Sequence, residues 1–269
     1  MTTASTRHTI LVTGGAGGLG LAMARLFHER GHRVIVCART ESSLEDAASE
    51  MPGAVAIRAD VSVAADREAL MAQATTEGLD ILVNNAAISR AHDYVNDYTL
   101  EVDRAEAEIA TNLTAPIELT RLFLLSRRVG GRDATPASIV NVGTPGALFP
   151  LEANPLYCVT KAGLRMFTLA LRRQLAATPV RVIEVFPPAL DTGLARDLDN
   201  PHMDANGEEV IAFVAANCVD GILRGDEVVL PHPAASAMYE QFAPKVEGEL
   251  LDQINTRVKR RAGWDVAPT

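Results

Sequence analysis

Seven short runs of aliphatic and β-branched residues recur along the chain, each followed by a segment with helical periodicity. The runs are Thr9–Val12, Val34–Cys37, Val55–Ile57, Ile81–Val83, Ser138–Val142, Val180–Phe186 and Glu227–Leu230. Continuous apolar strands suit a sheet buried on both faces, and only the intervening helices are available to cover it. The alternation therefore predicts an α/β fold with a doubly wound, seven-stranded parallel sheet and helices on both faces. One helical stretch runs from Leu19 to Phe27 and is closed by Gly31; a longer one spans about Asp103 to Arg128. No linker-like change of composition divides the 269 residues, so 1–269 is expected to be one domain. A variable loop is expected at about 190–207, rich in Asp, Asn, Pro and Gly. A C-terminal helical extension is expected at about 232–262, with Leu250, Leu251, Ile254 and Val258 on one stripe and Lys259-Arg260-Arg261 near its end.

The first run passes into Thr13-Gly14-Gly15-Ala16-Gly17-Gly18-Leu19-Gly20 and then directly into a helix. Glycines at such a junction let the backbone approach a pyrophosphate, and the helix N-terminus adds free N–H groups and a partial positive charge. This marks a Rossmann-type nucleotide site. An acidic residue after the second strand would favour NAD by binding the ribose hydroxyls, but Cys37-Ala38-Arg39 stands there. Arg39 can pair with a 2′-phosphate, so NADP(H) is expected to be preferred over NAD(H). Asp60, after the third run, is either an adenine contact or a helix N-cap.

Tyr157 and Lys161 lie four residues apart at the start of another helical pattern, which puts phenol and ammonium on one face. A neighbouring cation favours the phenolate and would lower the tyrosine toward usable acid/base chemistry. The net charge of −9 disfavours nucleic acid and anionic lipid as partners. No apolar run approaches the ~20 residues that span a bilayer, and Met1–Arg7 lacks a signal-peptide core; a cytoplasmic protein without membrane contact is expected. Cys37, Cys158 and Cys218 are scattered and the six histidines show no ligand spacing, so neither disulfide nor metal is expected.

In order, these residues resemble the classical short-chain dehydrogenase/reductase family over about Arg7 to Pro231. The glycine stretch, including Thr13, Gly14, Gly18, Leu19 and Gly20, matches TGxxxGxG. Asp60-Val61 looks like the adenine-contacting pair, and Asn84-Asn85-Ala86-Ala87 looks like NNAG. Asn112 stands at the helix asparagine, Tyr157 and Lys161 match YxxxK, and Pro187–Thr192 looks like the PG-containing stretch. The resemblance implies that Tyr157 donates a proton to a carbonyl oxygen while hydride passes from a nicotinamide. Lys161 lowers the tyrosine and binds the nicotinamide ribose, and Asn112 holds a water linking Lys161 to solvent. Ala86, Pro187, Leu190 and Thr192 join the cofactor contacts, Thr192 at the carboxamide. A homodimer or homotetramer is implied through the helices bearing Asn112 and Tyr157.

Three positions depart from the family pattern. Thr144 falls where the catalytic serine is expected; its hydroxyl keeps the hydrogen-bonding capacity while its methyl narrows the pocket. Ala87 replaces a glycine, which would strain the backbone by about 1 kcal/mol if positive φ were required there. Pro188 replaces another glycine, stiffening the loop and removing an N–H. Phe149, Pro150, Leu151, Leu156, Leu190, Leu194 and Met203 are candidates for an apolar substrate pocket, with His92 and Tyr94 near enough in sequence to reach it. Two other functions stay open: a non-catalytic NADP-binding sensor, and an epimerase or dehydratase of the extended branch.

Overall fold

Alternate residues of each central strand enter opposite layers of the protein. The computed structural model describes residues 7–95, 102–194 and 207–243, with 252, 253 and 255. Among them β1 (Thr9–Thr13), β2 (Arg33–Ala38), β3 (Val55–Arg58), β4 (Ile81–Asn84), β5 (Ala137–Val142), β6 (Val180–Val185) and β7 (Val228–Val229) form one sheet. Its order is β3-β2-β1-β4-β5-β6-β7, and every pairing is parallel. The predicted runs and the observed strands coincide to within one or two residues at each end. The greatest shortening is at β7, an edge strand that pairs with β6 alone.

Ile10 and Val12 point into a layer with Met23 and Phe27 of α1 (Gly18–Glu29) and Leu44 of α2 (Glu41–Glu50). Val214 and Cys218 of α7 (Glu208–Arg224) complete that layer. Leu11 enters the opposite layer with Leu70 of α3 (Ala64–Thr76), Phe123 of α5 (Ala115–Val129) and Leu171 of α6 (Pro155–Leu175). Burying each such side chain contributes about 1.5–3 kcal/mol, which is why both faces of the sheet are covered. The short α8 (Pro233–Phe242) begins the C-terminal extension. It is fastened to α6 where Arg165 donates to the Tyr239 hydroxyl at 3.2 Å. Arg165 also pairs with buried Glu184 of β6. The apolar stripe and basic run expected further on lie outside the described residues, as do 195–206 of the variable loop.

The helix expected from Asp103 to Arg128 runs unbroken over 102–129, but one turn in its middle is π-helical rather than α-helical. It comprises α4 (Val102–Ile109), a π-helical turn (Ala110–Thr114) and α5. Pro116 supplies the physical reason: it lacks the N–H that an α-helix would direct at the carbonyl of Asn112, four residues earlier. The turn falls on Asn112 itself.

Candidate active site

The strand order reverses between β1 and β4, and their carboxyl ends diverge there into a cavity of about 710 Å³. Such a switch point is where open α/β sheets place ligands. The glycine turn forms one end. Gly14 and Gly18 adopt left-handed φ of 64° and 52°. Gly20 is required for space, since a Cβ there would lie 2.4 Å from the Gly14 carbonyl oxygen and from Asn85 Nδ2. At Gly17 the position of a Cβ is open, and this residue lines the cavity. α1 begins directly behind it with no side-chain cap and no acidic residue in its first turn. The free N–H groups and positive end of the helix therefore face the cavity uncompensated, which fits a nucleotide pyrophosphate.

Thr13 and Asn84 do not line this cavity, although both were expected at the cofactor. Thr13 is an internal brace: its Oγ1 accepts from the N–H of Asn85 at 2.9 Å and of Ala86 at 3.0 Å, and donates to the Val83 carbonyl at 3.2 Å. Asn84 is buried in the sheet, donating to Asn141 Oδ1 at 2.8 Å. The side chain that secures the glycine turn is the neighbouring Asn85, whose Nδ2 donates to the Thr13 carbonyl at 2.8 Å. Strand alternation explains the exchange of roles, because adjacent residues point to opposite faces.

At the far end the wall includes Arg39, which is exposed, with Thr40, Ser43, Asp60 and Val61. Asp60 is not an N-cap, as Val63 occupies that position of α3. Its Oδ1 accepts from the N–H and hydroxyl of Ser62 at 2.9 and 2.7 Å, fixing the turn that borders the cavity.

Tyr157, Lys161 and Thr144 meet in the middle of the wall. Tyr157 and Lys161 lie one turn apart on α6, with Lys161 Nζ 5.7 Å from the centre of the phenol ring. Lys161 Nζ donates to the Val142 carbonyl at 2.9 Å. Thr144 lies just beyond β5, where hydrogen bonding between its side chain and Tyr157 links the two. Burial raises the Tyr157 phenol above its ordinary value; the Thr144 hydrogen bond opposes the rise, while Cys158 and Glu108 add to it. This is the reverse of the lowering expected from Lys161. Both groups are buried, and desolvation disfavours phenolate and ammonium alike, bringing Lys161 down to about 8.

Asn112 sits behind this wall rather than on it. Its Oδ1 accepts from the Ile88 N–H at 2.9 Å, and its Nδ2 donates to the Ile88 carbonyl at 2.8 Å and to Thr160 Oγ1 at 3.2 Å. Of the proposed substrate residues, Leu151, Leu190 and Leu194 line the cavity with Pro187, Pro188 and Thr192. Phe149, Pro150 and Leu156 do not, and the Phe149 ring packs on Phe242 of α8 with 4.9 Å between centroids. Met203 lies outside the described residues. Tyr94 is exposed, and His92 is buried against Glu108 instead of reaching the cavity. Ala87 and Ala86 do line it, and no non-glycine residue among those described has positive φ, so the strain considered at Ala87 does not arise. Asn85, Thr40 and Ser43 also line the cavity and were missed by sequence reasoning; only Asn85, inside a recognised motif, carried a usable signal.

Among the described residues no helix is long and apolar enough to cross a membrane. Together the parallel sheet, its switch-point cavity and the glycine turn define a nucleotide-binding α/β protein of Rossmann type. Residues 8–202 match the family model described as short chain dehydrogenase, and the chain belongs to that oxidoreductase family. It is 37% identical over 230 residues to the uncharacterized oxidoreductase DltE of Bacillus subtilis, covering 83% of this chain and 88% of that one. It is 32% identical over 181 residues to the NADP-dependent 3-hydroxy acid dehydrogenase YdfG of Escherichia coli, covering 66% and 71%. A short-chain dehydrogenase from Sphingobium yanoikuyae, solved in complex with NADPH, has the same fold. Its TM-score is 0.72 at 24% identity, over 97% of this chain and 98% of that chain.

Proposed function

We propose that this protein is an NADP(H)-preferring oxidoreductase that interconverts a small, largely apolar ketone or aldehyde with its alcohol. The observation that carries the reading is the convergence of Tyr157, Thr144 and Lys161 on the cavity that also holds the glycine turn and Arg39. The glycine turn and the N-terminus of α1 would hold the pyrophosphate, and Arg39, Thr40 and Ser43 a 2′-phosphate. Thr192, beside Gly18, would meet the nicotinamide end. When bound, the nicotinamide cofactor would supply a hydride, a proton together with two electrons, to the carbonyl carbon.

Tyr157 donates its proton to the carbonyl oxygen, so that a C–H and an O–H bond form while the C=O double bond becomes single. The phenol is protonated at neutral pH and so stands as the proton donor for reduction, while burial raises it above its ordinary value and the Thr144 hydrogen bond opposes that rise. Thr144 orients and polarises the carbonyl by hydrogen bonding. Lys161 restores the proton to Tyr157 and binds ribose hydroxyls. We assign Asn112 its water through the backbone carbonyl, because its side-chain amide is committed to Ile88 and Thr160. Leu151, Leu190 and Leu194 favour an apolar substrate body.

Tyr157→Phe is expected to retain NADPH affinity and lose at least 10²-fold in turnover across a panel of ketones and aldehydes. Unchanged turnover would refute the assignment. Exposed Leu125 and Val129 of α5 and Val159 and Met166 of α6 support a homodimer or homotetramer. A monomer by light scattering would remove that part of the proposal.

A further inference from the structure

Glu108 of α4 is fully buried, yet only one of its carboxylate oxygens is partnered. Oε2 lies 3.2 Å from Nε2 of buried His92, while Oε1 meets no hydrogen-bond partner among the described residues. Burial raises the Glu108 carboxyl above its ordinary range, with the hydrogen bond and charge of His92 and the charge of Arg90 opposing it. A half-satisfied carboxylate in this position costs the fold stability, so packing gives no reason for it. The segment it holds does.

Glu108 and Asn112 are four residues apart, and both reach the segment that follows β4. Asn112 grips its start by hydrogen bonds to both backbone groups of Ile88, and Glu108 grips its end at His92. This segment is tied in turn to the residues immediately before Tyr157. The His92 N–H donates to the Ala153 carbonyl at 2.9 Å, and Asn154 Nδ2 donates to Ser89 Oγ at 3.0 Å. Ile88, Ser89, Ala153 and Asn154 all line the cavity, and Asn154 is the N-cap residue of α6, three positions before Tyr157.

We propose that Glu108 and His92 are positioning residues for the substrate end of the site, holding residues 88–92 against 151–154 so that a carbonyl is seated opposite Tyr157. The pair touches neither the cavity nor the glycine turn, so its effect spares cofactor binding and falls on substrate placement, beside the influence of the Glu108 charge on Tyr157, which Glu108→Gln removes while keeping the grip. This inference rests on the oxidoreductase reading above, and Glu108 acts in it through the wall it braces.

Glu108→Leu removes the grip at similar volume, whereas Glu108→Gln keeps a hydrogen-bonding partner for His92. In the full chain, Glu108→Leu is expected to lose amide hydrogen-exchange protection in 88–92 and 151–154, as read by mass spectrometry. The Kd for NADPH should stay within about twofold, and KM for a reduced ketone should rise about tenfold while kcat falls less than about threefold. Glu108→Gln should recover most of the KM. If Glu108→Leu fails to fold, His92→Asn breaks the same link from the other side and is held to the same outcomes. Unchanged exchange in 151–154, or a loss of NADPH affinity equal to the rise in KM, overturns the proposal. A wild type that reduces no carbonyl compound overturns the oxidoreductase reading, and the exchange comparison then still decides whether the grip exists.

Discussion

Replacing Lys161 by methionine is expected to make the protein more stable at neutral pH while removing its activity. Lys161 is 3% exposed, and burial brings its ammonium from the ordinary 10.5 down to about 8. A difference of that size corresponds to about 3 kcal/mol of cost to the charged form in the folded chain. Its hydrogen bond to the Val142 carbonyl returns roughly 1.5–3 kcal/mol, so the net gain from methionine at pH 7 is on the order of 1 kcal/mol. The pH dependence is the sharper quantity. Below about pH 8 the lysine is charged in both the folded and unfolded chains, and its full cost is present. Between about 8 and 10.5 the unfolded chain holds a proton that the folded chain has released, so wild-type stability rises with pH. The stability difference between Lys161→Met and wild type should therefore move by about 2 kcal/mol toward wild type between pH ~7 and ~9.5, which reverses its sign. Urea unfolding of both proteins at the two pH values measures this directly, and taking the difference cancels the other titrating groups. A variant less stable than wild type at pH 7, with a gap independent of pH, would refute the buried-ammonium argument.

Three further outcomes are expected. Thr144→Ser should stay within about tenfold of wild-type turnover and Thr144→Val should lose about 10² or more, by analogy with removing one oxyanion donor; an active valine variant would leave Thr144 with a packing role only. Arg39→Asp should lower the ratio of kcat/KM with NADPH to that with NADH by at least about tenfold, since a carboxylate repels the 2′-phosphate; an unchanged ratio would remove Arg39 from cofactor selection. Gly20→Ala should destabilise the fold by about 1–3 kcal/mol in thermal unfolding through its clash with the Gly14 carbonyl, whereas Gly17→Ala, whose Cβ meets open space, should fold normally and weaken NADPH binding. Equal stability losses in the two would contradict the geometry of the turn.

The strands were legible because each carries a continuous apolar run, and a parallel sheet needs both faces of each strand buried. The glycine turn and the Tyr157–Lys161 pair were legible for a related reason: each lies within one local element, where spacing alone fixes the geometry, whereas Thr144 was placed by the family resemblance. Pro116 was a readable sign of the π-helical turn at Asn112, since a proline inside a helical pattern removes one backbone hydrogen bond. Other features had no local signature. That Asn85 rather than Asn84 secures the glycine turn depends on which way two adjacent side chains point beyond the end of β4. The partnership of Glu108 with His92 joins residues sixteen apart through packing. The direction in which Tyr157 and Lys161 are shifted also had to come from the fold. Sequence supplies the neighbouring charge, but desolvation depends on how much protein closes over a group, and that is set by chain segments far away in sequence. The sequence by itself determined the sheet and the glycine turn, and it named the side chains proposed to react. Tertiary structure alone decided how far those groups are removed from water, and which buried residues hold them there.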